Sequence, residues 1–475
     1  MSRRIFVVGG GISGLAAAHR LIELSRERSL ALDVHLLEAS DRLGGCIKTE
    51  RGGGFLIEAG PDSFISEKPW ALRLCERLGI TSRLISTNPA NQNIYVVHQG
   101  SLQPLPEGFF LLAPTRLRPF IQTPLFSWKG KLRIAGELFL SRGGIDDDES
   151  LASFVRRRFG SEVLERVAQP LIGGIYGADP EQLSLSATMP RFIEMERSRR
   201  SVIWAMWREQ RRRFQNQTTG SGARWSLFVT LAGGMQELVD SIANHLPKGA
   251  VHPNTRVTEL RWDGMKKNWT VATDKGEKFE ADGVILALPA YGSAELLASL
   301  VSELSLELRA IPYSSAATVN LAYRLADIPH ALNGFGFVVP AAEARKIIAC
   351  TFSSIKYPGR APEGHVLLRA FVGGALQPDL LMQDDRTMEK SVREELAGLL
   401  GVTTEPLFCR IYRHPRSMPQ YHVGHQERVR RIEAYLSPLR TLALAGSAYH
   451  GVGIADCIHS GEVATERVLQ QLQES

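Results

Sequence analysis

The chain of 475 residues has little cysteine, and what it has is scattered: Cys46, Cys75, Cys350, Cys409 and Cys457 form no C-x-x-C pair. That spacing excludes a disulfide framework and a zinc site and indicates a reducing compartment. Uncharged apolar runs of about 18 residues are also missing, so a spanning helix is not expected. No signal peptide fits, because the apolar run after Arg4 leads directly into glycines. There is no internal repeat and no low-complexity tract. The basic excess is small, 56 Lys+Arg against 50 Asp+Glu. It excludes a nucleic-acid partner and suits an anionic ligand or an anionic membrane surface. Neither a Ser/His/Asp set nor paired carboxylates stand out. A length of 475 residues asks for two or three domains.

What is there begins at once. Ile5–Val8 reads as a buried parallel strand. Gly9, Gly11 and Gly14 follow in G-x-G-x-x-G register, with Gly10, Ile12 and Ser13 between them, and a helical pattern continues through Leu15, Ala18, Leu21 and Ile22. In such a turn one glycine makes the bend, the next admits a pyrophosphate to the backbone, and the third lets helix and strand pack closely. The helix N-terminus supplies free N–H groups. A second strand, "DVHLLEA", ends at Glu38, where a carboxylate can accept ribose hydroxyls and would repel the 2′-phosphate of NADP. A dinucleotide is expected.

After Glu38 and Ala39 the chain runs through Arg42 to Gly44, Gly45 and Cys46, and "GFLIEAGPDSF" brings Gly60, Pro61, Asp62 and Ser63. Near the other end "TLALAG" reads as a strand closing on Gly446, and "GVGIADCIHSG" opens a helix at Gly451, Val452, Gly453 and Ile454. These stretches resemble the flavin amine oxidase superfamily, and the resemblance implies FAD, bound without a covalent link. It makes both ends parts of one discontinuous Rossmann-like α/β domain and places Val257 against the adenine. "GGIYGADPEQLS", "GFGFVVP" and "MPQYHVGH" further resemble the oxygen-dependent protoporphyrinogen oxidases of haem biosynthesis. For that family the resemblance implies hydride transfer from protoporphyrinogen IX to flavin N5, reoxidation by O2 and release of H2O2. Aromatisation drives the reaction, so no protein base is assigned. A coproporphyrinogen III oxidase of the same family, an amine oxidase and a non-catalytic porphyrin-binding flavoprotein stay open as alternatives.

The same resemblance places Val338, Thr351, Phe352 and Phe371 near the macrocycle and Gly174 on the rim of a large apolar pocket. The family's propionate-holding arginine is replaced by Ile94 or Asn93, with Arg116 or Arg118 as substitutes, and His414 stands where tryptophan is common. His422, His425 and His450 lie close to the same motifs and are read as structural.

Between residues 101 and 225 the pattern changes. A proline-broken aromatic stretch precedes two helical runs, and Trp204 and Trp207 in the second stand beside Arg208, Arg211 and Arg212. An apolar face rimmed by arginine suits a peripheral membrane surface. The expected organisation is FAD-binding segments at 1–85, 226–292 and 437–475, a mixed-sheet substrate domain at 86–100 and 293–436, and a helical membrane-facing domain at 101–225. The expected setting is the cytoplasmic face of a bacterial inner membrane, with contact to neighbouring haem-pathway enzymes and room for a homodimer.

Overall fold

The computed structural model describes residues 2–474 other than 107–108, 111–112, 115, 144–147 and 218–225. Its first sheet has five strands in the order Val251–His252, Leu32–Leu37, Arg3–Val8, Gly283–Leu286, Leu442–Leu444. Every pairing in it is parallel. Alternation along the strands gives each face its own core. Ile5, Val7, Val34, Leu36 and Ile285 pack on the first helix, Ile12–Glu27, and the last, Ile454–Gln473. Phe6, Val8, Leu37, Val284 and Leu286 face the meander Val257–Asp263, Asn268–Thr273, Lys278–Ala281.

The first and last helices lie side by side in parallel. A Cβ on Gly461 would collide with the carbonyl of Ser13, and one turn on, Thr465 Oγ1 donates to Ala17 O at 3.0 Å. With that register Ile12 is level with Ser460, so the last helix, starting at Ile454, overshoots the first by six residues. At 1.5 Å per residue this is roughly 9 Å.

The second sheet has seven strands, ordered Phe408–Pro419, Tyr313–Arg324, His365–Gly373, Ala349–Phe352, Gly334–Val338, Asn93–His98, Ser101–Pro104. It is antiparallel except where Gly334–Val338 meets Asn93–His98. One face carries Val319, Leu321, Phe337, Phe352 and Leu368 onto the helix Asp385–Leu400. That helix ends at Gly401, whose φ of +75° is the left-handed stop expected from its sequence.

Against the other face stand the helices of the middle region. The run expected as one helix from Leu151 is interrupted at Gly160 (φ +94°), and a π-turn at Leu164–Ala168 leads into Gln169–Tyr176. The run around the paired tryptophans is likewise two helices, Pro190–Arg199 and Val202–Gln217, parted at Arg200 with φ +66°. The side chain of Arg212 lies outside the described residues. No helix among the described residues is long and apolar enough to cross a membrane.

Candidate active site

The two glycine stretches, far apart in sequence, open onto one region because their helices are parallel. Both helices begin on a glycine, Gly11 and Gly453, and neither has a side-chain cap. Their first amides therefore point outward with no capping oxygen, and each N-terminus carries the positive end of a helix dipole. The glycines are sterically required. Gly9 has φ +108°, and a Cβ on Gly14 would strike the Gly9 carbonyl, whereas a Cβ on Gly11 would meet nothing within 4 Å. Gly11 thus faces open space, as a backbone that must admit a ligand does.

Glu38 closes this turn. Its Oε2 accepts from Gly10 N at 2.6 Å, and its Oε1 accepts from Ser40 N at 2.8 Å. The second turn is stitched to the first, since Gly44 N donates to Gly10 O at 2.8 Å. Gly44 and Gly45 have φ of +106° and +59°, and Arg42 folds back to donate to Ile47 O at 2.9 Å and to the Gly45 carbonyl. Ala39 and Cys46 flank these turns, and Val257 opens the meander next to the strand end that holds Glu38. At the far end Gly451 N donates to Tyr421 Oη at 2.8 Å, and Tyr421 in turn donates to Ser447 O at 2.5 Å. Gly446 (φ +136°) is held by Ser460 Oγ at 3.0 Å.

These features fit FAD. Two uncapped helix N-termini, staggered by roughly 9 Å, suit a pyrophosphate at one and an isoalloxazine at the other, with a carboxylate at the adenosine end. Cys457 is buried in the first turn of the last helix, and burial pushes its thiol up to about 12.

Beside the glycine turns the seven-stranded sheet presents an apolar wall. Val338, Ala349 and Phe371 join Ile94, Tyr176 and Val452 in one cluster. Gly174 faces this wall, its Cβ direction 3.7 Å from Val338 and 3.8 Å from Ala349. Thr351 pairs with Gly336 and Arg369 and is half-buried on the same face. Phe352 is not brought to this group. Strand alternation sends it to the opposite face, where it is fully buried between Phe337 and His330. Ile94 sits in the apolar cluster, while Arg116 and Arg118 are exposed.

The histidines lie against groups of the protein itself. His414 Nε2 lies 2.9 Å from Ala59 O, and burial lowers its pKa. His425 stacks on Tyr421 at 3.9 Å, bonds Tyr449 O at 3.1 Å, and burial lowers its pKa to about 4. His422 is also lowered by burial, and the exposed His450 lies 3.3 Å from Glu433.

Sequence reasoning missed the seam between the two sheets. Ala59 O accepts from Thr318 Oγ1 at 2.9 Å as well as facing His414, and Gly60 O accepts from buried Arg369. Gly60 has no room for a side chain, because a Cβ there would strike the Cys46 carbonyl. Asp62, next along, accepts from Lys356 at 3.1 Å and from Ser63 Oγ at 2.7 Å. The signal was present as a lone arginine at an inward position of "VLLRAFVGG". An open cleft of about 590 Å³ elsewhere, lined by Thr49, Arg51, Gln236 and Glu237, includes none of these groups.

The model of the flavin containing amine oxidoreductase family matches residues 12–469. The chain is 36% identical to the coproporphyrinogen III oxidase of Bacillus subtilis (strain 168), over 99% of this chain and 98% of that protein. It is 32% identical to the protoporphyrinogen oxidase of Homo sapiens, over 99% of each. A crystal structure from Exiguobacterium sp. 255-15, assigned provisionally to protoporphyrinogen oxidase, superposes with a TM-score of 0.86 at 31% identity and covers 100% of this chain and 99% of that one. The chain therefore belongs to the flavin containing amine oxidoreductases, in their protoporphyrinogen/coproporphyrinogen oxidase branch, and is an FAD-dependent oxidoreductase.

Proposed function

We propose that this flavoenzyme oxidises protoporphyrinogen IX to protoporphyrin IX in haem biosynthesis, with O2 as acceptor and H2O2 as co-product. The observation that carries the reading is the wall of Val338, Ala349 and Phe371 facing Gly174 beside the flavin turns. It suits a broad, flat, apolar ring that needs contact and exclusion of water. FAD, when bound, accepts a hydride and passes the electrons to O2. The chain's part is placement. Amides of Gly9 to Gly14, the Glu38 carboxylate, Arg42 with Gly44 to Cys46, and Gly60 to Ser63 hold the dinucleotide, with Val257 at its adenine. Gly446 and Gly451 to Ile454 seat the ring. Thr351 and Phe371 position the macrocycle, with Gly174 leaving room for it.

A second reading is coproporphyrinogen III, favoured by the Bacillus subtilis relative, a coproporphyrinogen III oxidase. Ile94 in the apolar cluster speaks for the less carboxylate-rich substrate. Anaerobic mixing of the holoenzyme with protoporphyrinogen IX, coproporphyrinogen III and a panel of amines separates these, read as bleaching of flavin absorbance. Fastest bleaching by protoporphyrinogen supports the main reading, and fastest bleaching by coproporphyrinogen replaces it with the second. Bleaching only by amines overturns both.

We assign the three FAD-binding segments, the substrate domain at 86–100 and 293–436 and the helical domain at 101–225 as separate units. The helical domain would be the membrane-facing one. Trp128, Leu132 and Phe139 are 69%, 72% and 79% exposed, and Lys131 lies 4.8 Å above the Trp128 ring. Apolar side chains beside lysine suit the surface of an anionic bilayer. Such docking at the cytoplasmic face would let a poorly soluble ring pass to the next haem-pathway enzyme; a homodimer would leave this face free.

A further inference from the structure

The seam carries a charge arrangement that neither the glycine turns nor the apolar wall explains. Arg369 is 4% exposed, yet among the described residues its guanidinium makes one hydrogen bond, to Gly60 O, and one long ion contact, 3.9 Å to Asp62 Oδ2. Its Nε has no partner among the described residues. Asp62 is already engaged by Lys356 at 3.1 Å and by Ser63 at 2.7 Å. The neighbouring buried carboxylate, Glu58, is committed elsewhere, to Met235 N at 2.9 Å and Thr49 Oγ1 at 2.8 Å. Arg360 is satisfied by the carbonyls of Leu231 and Ala232 and by Thr230. The cations here are Lys356, Arg360, Arg369 and Arg51 and the carboxylates are Asp62 and Glu58, so positive charge is in excess.

A buried, incompletely bonded guanidinium is costly unless an acceptor completes it. Its surroundings say where that acceptor must be. Arg369 alternates with Phe371 on one strand face, its guanidinium 4.8 Å from the Phe371 ring, so it borders the apolar wall. On its other side Gly60 abuts the Cys46 carbonyl of the second glycine turn. Electron transfer by hydride requires cofactor ring and substrate in contact, about 3–3.5 Å apart. The redox end of FAD must therefore lie where turns and wall meet, and that is where Arg369 stands. Thr318 and His414, from the two adjacent strands, hold the preceding carbonyl of Ala59 and fix the loop against the sheet.

We propose that Arg369 is the buried cation facing the electron-accepting edge of the bound flavin, and that it favours the reduced, electron-rich form. Asp62, held by Lys356, tempers that charge. Reduction adds two electrons to the ring system in an environment of low dielectric, where one fixed charge acts strongly. The inference rests on the FAD assignment and is independent of which porphyrinogen is the substrate.

The test is the flavin midpoint potential of purified holoenzyme, measured by reductive titration against a reference dye without any porphyrinogen. FAD content is read from the absorbance spectrum. Arg369→Met should retain FAD and shift the oxidised/reduced equilibrium at least tenfold toward the oxidised form, a fall of about 30 mV for a two-electron couple. Arg369→Lys should shift in the same direction as Arg369→Met but less, because an ionisable amine stays while the fixed planar fork is lost. Asp62→Asn should move the potential the other way, upward. A merely structural role predicts no such opposition of sign. An unchanged potential in FAD-loaded Arg369→Met, or the same direction of shift in it and in Asp62→Asn, overturns the proposal. Should Arg369→Met not hold FAD, the proposal stands or falls on whether the potential of Asp62→Asn rises. Failure of the parent protein to bind FAD would instead sink the cofactor assignment.

Discussion

The flavin half of the molecule and the helical region between residues 117 and 217 distribute polarity in opposite ways. Around the five-stranded sheet the interior is apolar, and the polar groups that matter are backbone amides aimed at a ligand. In the helical region an ion pair is fully buried while Trp128, Leu132 and Phe139 stand in solvent. Arg158 and Glu137 are both fully buried and paired. Glu137 also accepts from Ser201 Oγ and Val202 N, at 2.5 and 2.8 Å, fixing the start of the helix Val202–Gln217. Arg158 reaches on to Ser141 O at 3.0 Å and Glu196 at 3.3 Å. The lesson is that one half is organised around what enters it, and the other is pinned from within by charge so that its apolar side chains can face outward.

Four experiments break or sharpen that contrast. The largest effect is expected in the flavin half. Gly14→Val places branched carbons against the Gly9 carbonyl, and should remove FAD and cost about 3 kcal/mol or more of stability. Flavin absorbance and denaturant unfolding check it. In the helical region Glu137→Ala strands a buried guanidinium and should cost about 3–5 kcal/mol, whereas the double change Glu137→Leu with Arg158→Met should recover most of it. No recovery would mean that the network does more than offset its own burial.

Acid should act next. His19 and His425 are buried, and both have pKa values lowered to about 4, below the ordinary 6.5. The unfolded chain then binds more protons than the folded one between those values. Stability is fully present above 6.5 and falls as pH drops toward 4, by roughly 3 kcal/mol at most for each histidine. Thermal unfolding across pH 4–7 should show the slope, and His425→Asn should flatten part of it. Smallest in stability is Trp128→Ser combined with Leu132→Ser and Phe139→Ser, within about 0.5 kcal/mol. The same variant should lose more than about tenfold in partitioning to anionic vesicles, since each such side chain contributes about 1.5–3 kcal/mol when buried. Unchanged vesicle binding would reject the outward-facing role.

The flavin turns were legible in sequence because their logic is local: a glycine that must bend or be approached leaves its mark within a few residues, as at Gly9, Gly11 and Gly14. The break at Arg200 was not legible, since its positive φ goes with the neighbouring Ser201 donating to Glu137, which comes from elsewhere in the chain. Phe352 was assigned to the pocket by motif, although its one-residue offset from Thr351 turns it to the other face. The seam was hidden for the same reason. Arg369, Thr318 and His414 meet Ala59 and Gly60 only through the register of three strands separated by tens of residues.

The parallel pairing of the first and last helices sets a timetable for synthesis. Thr465 is made 448 residues after Ala17, the residue whose carbonyl it bonds. At 5–20 residues per second that is a wait of roughly 20–90 s on the ribosome. During that interval the face of the first helix with Ser13, Ala17 and Arg20 lacks its partner. The sheet's final strand, Leu442–Leu444, does not yet exist either. Cofactor capture is therefore a late event, and a growing chain of this protein must be sheltered until its closing helix arrives.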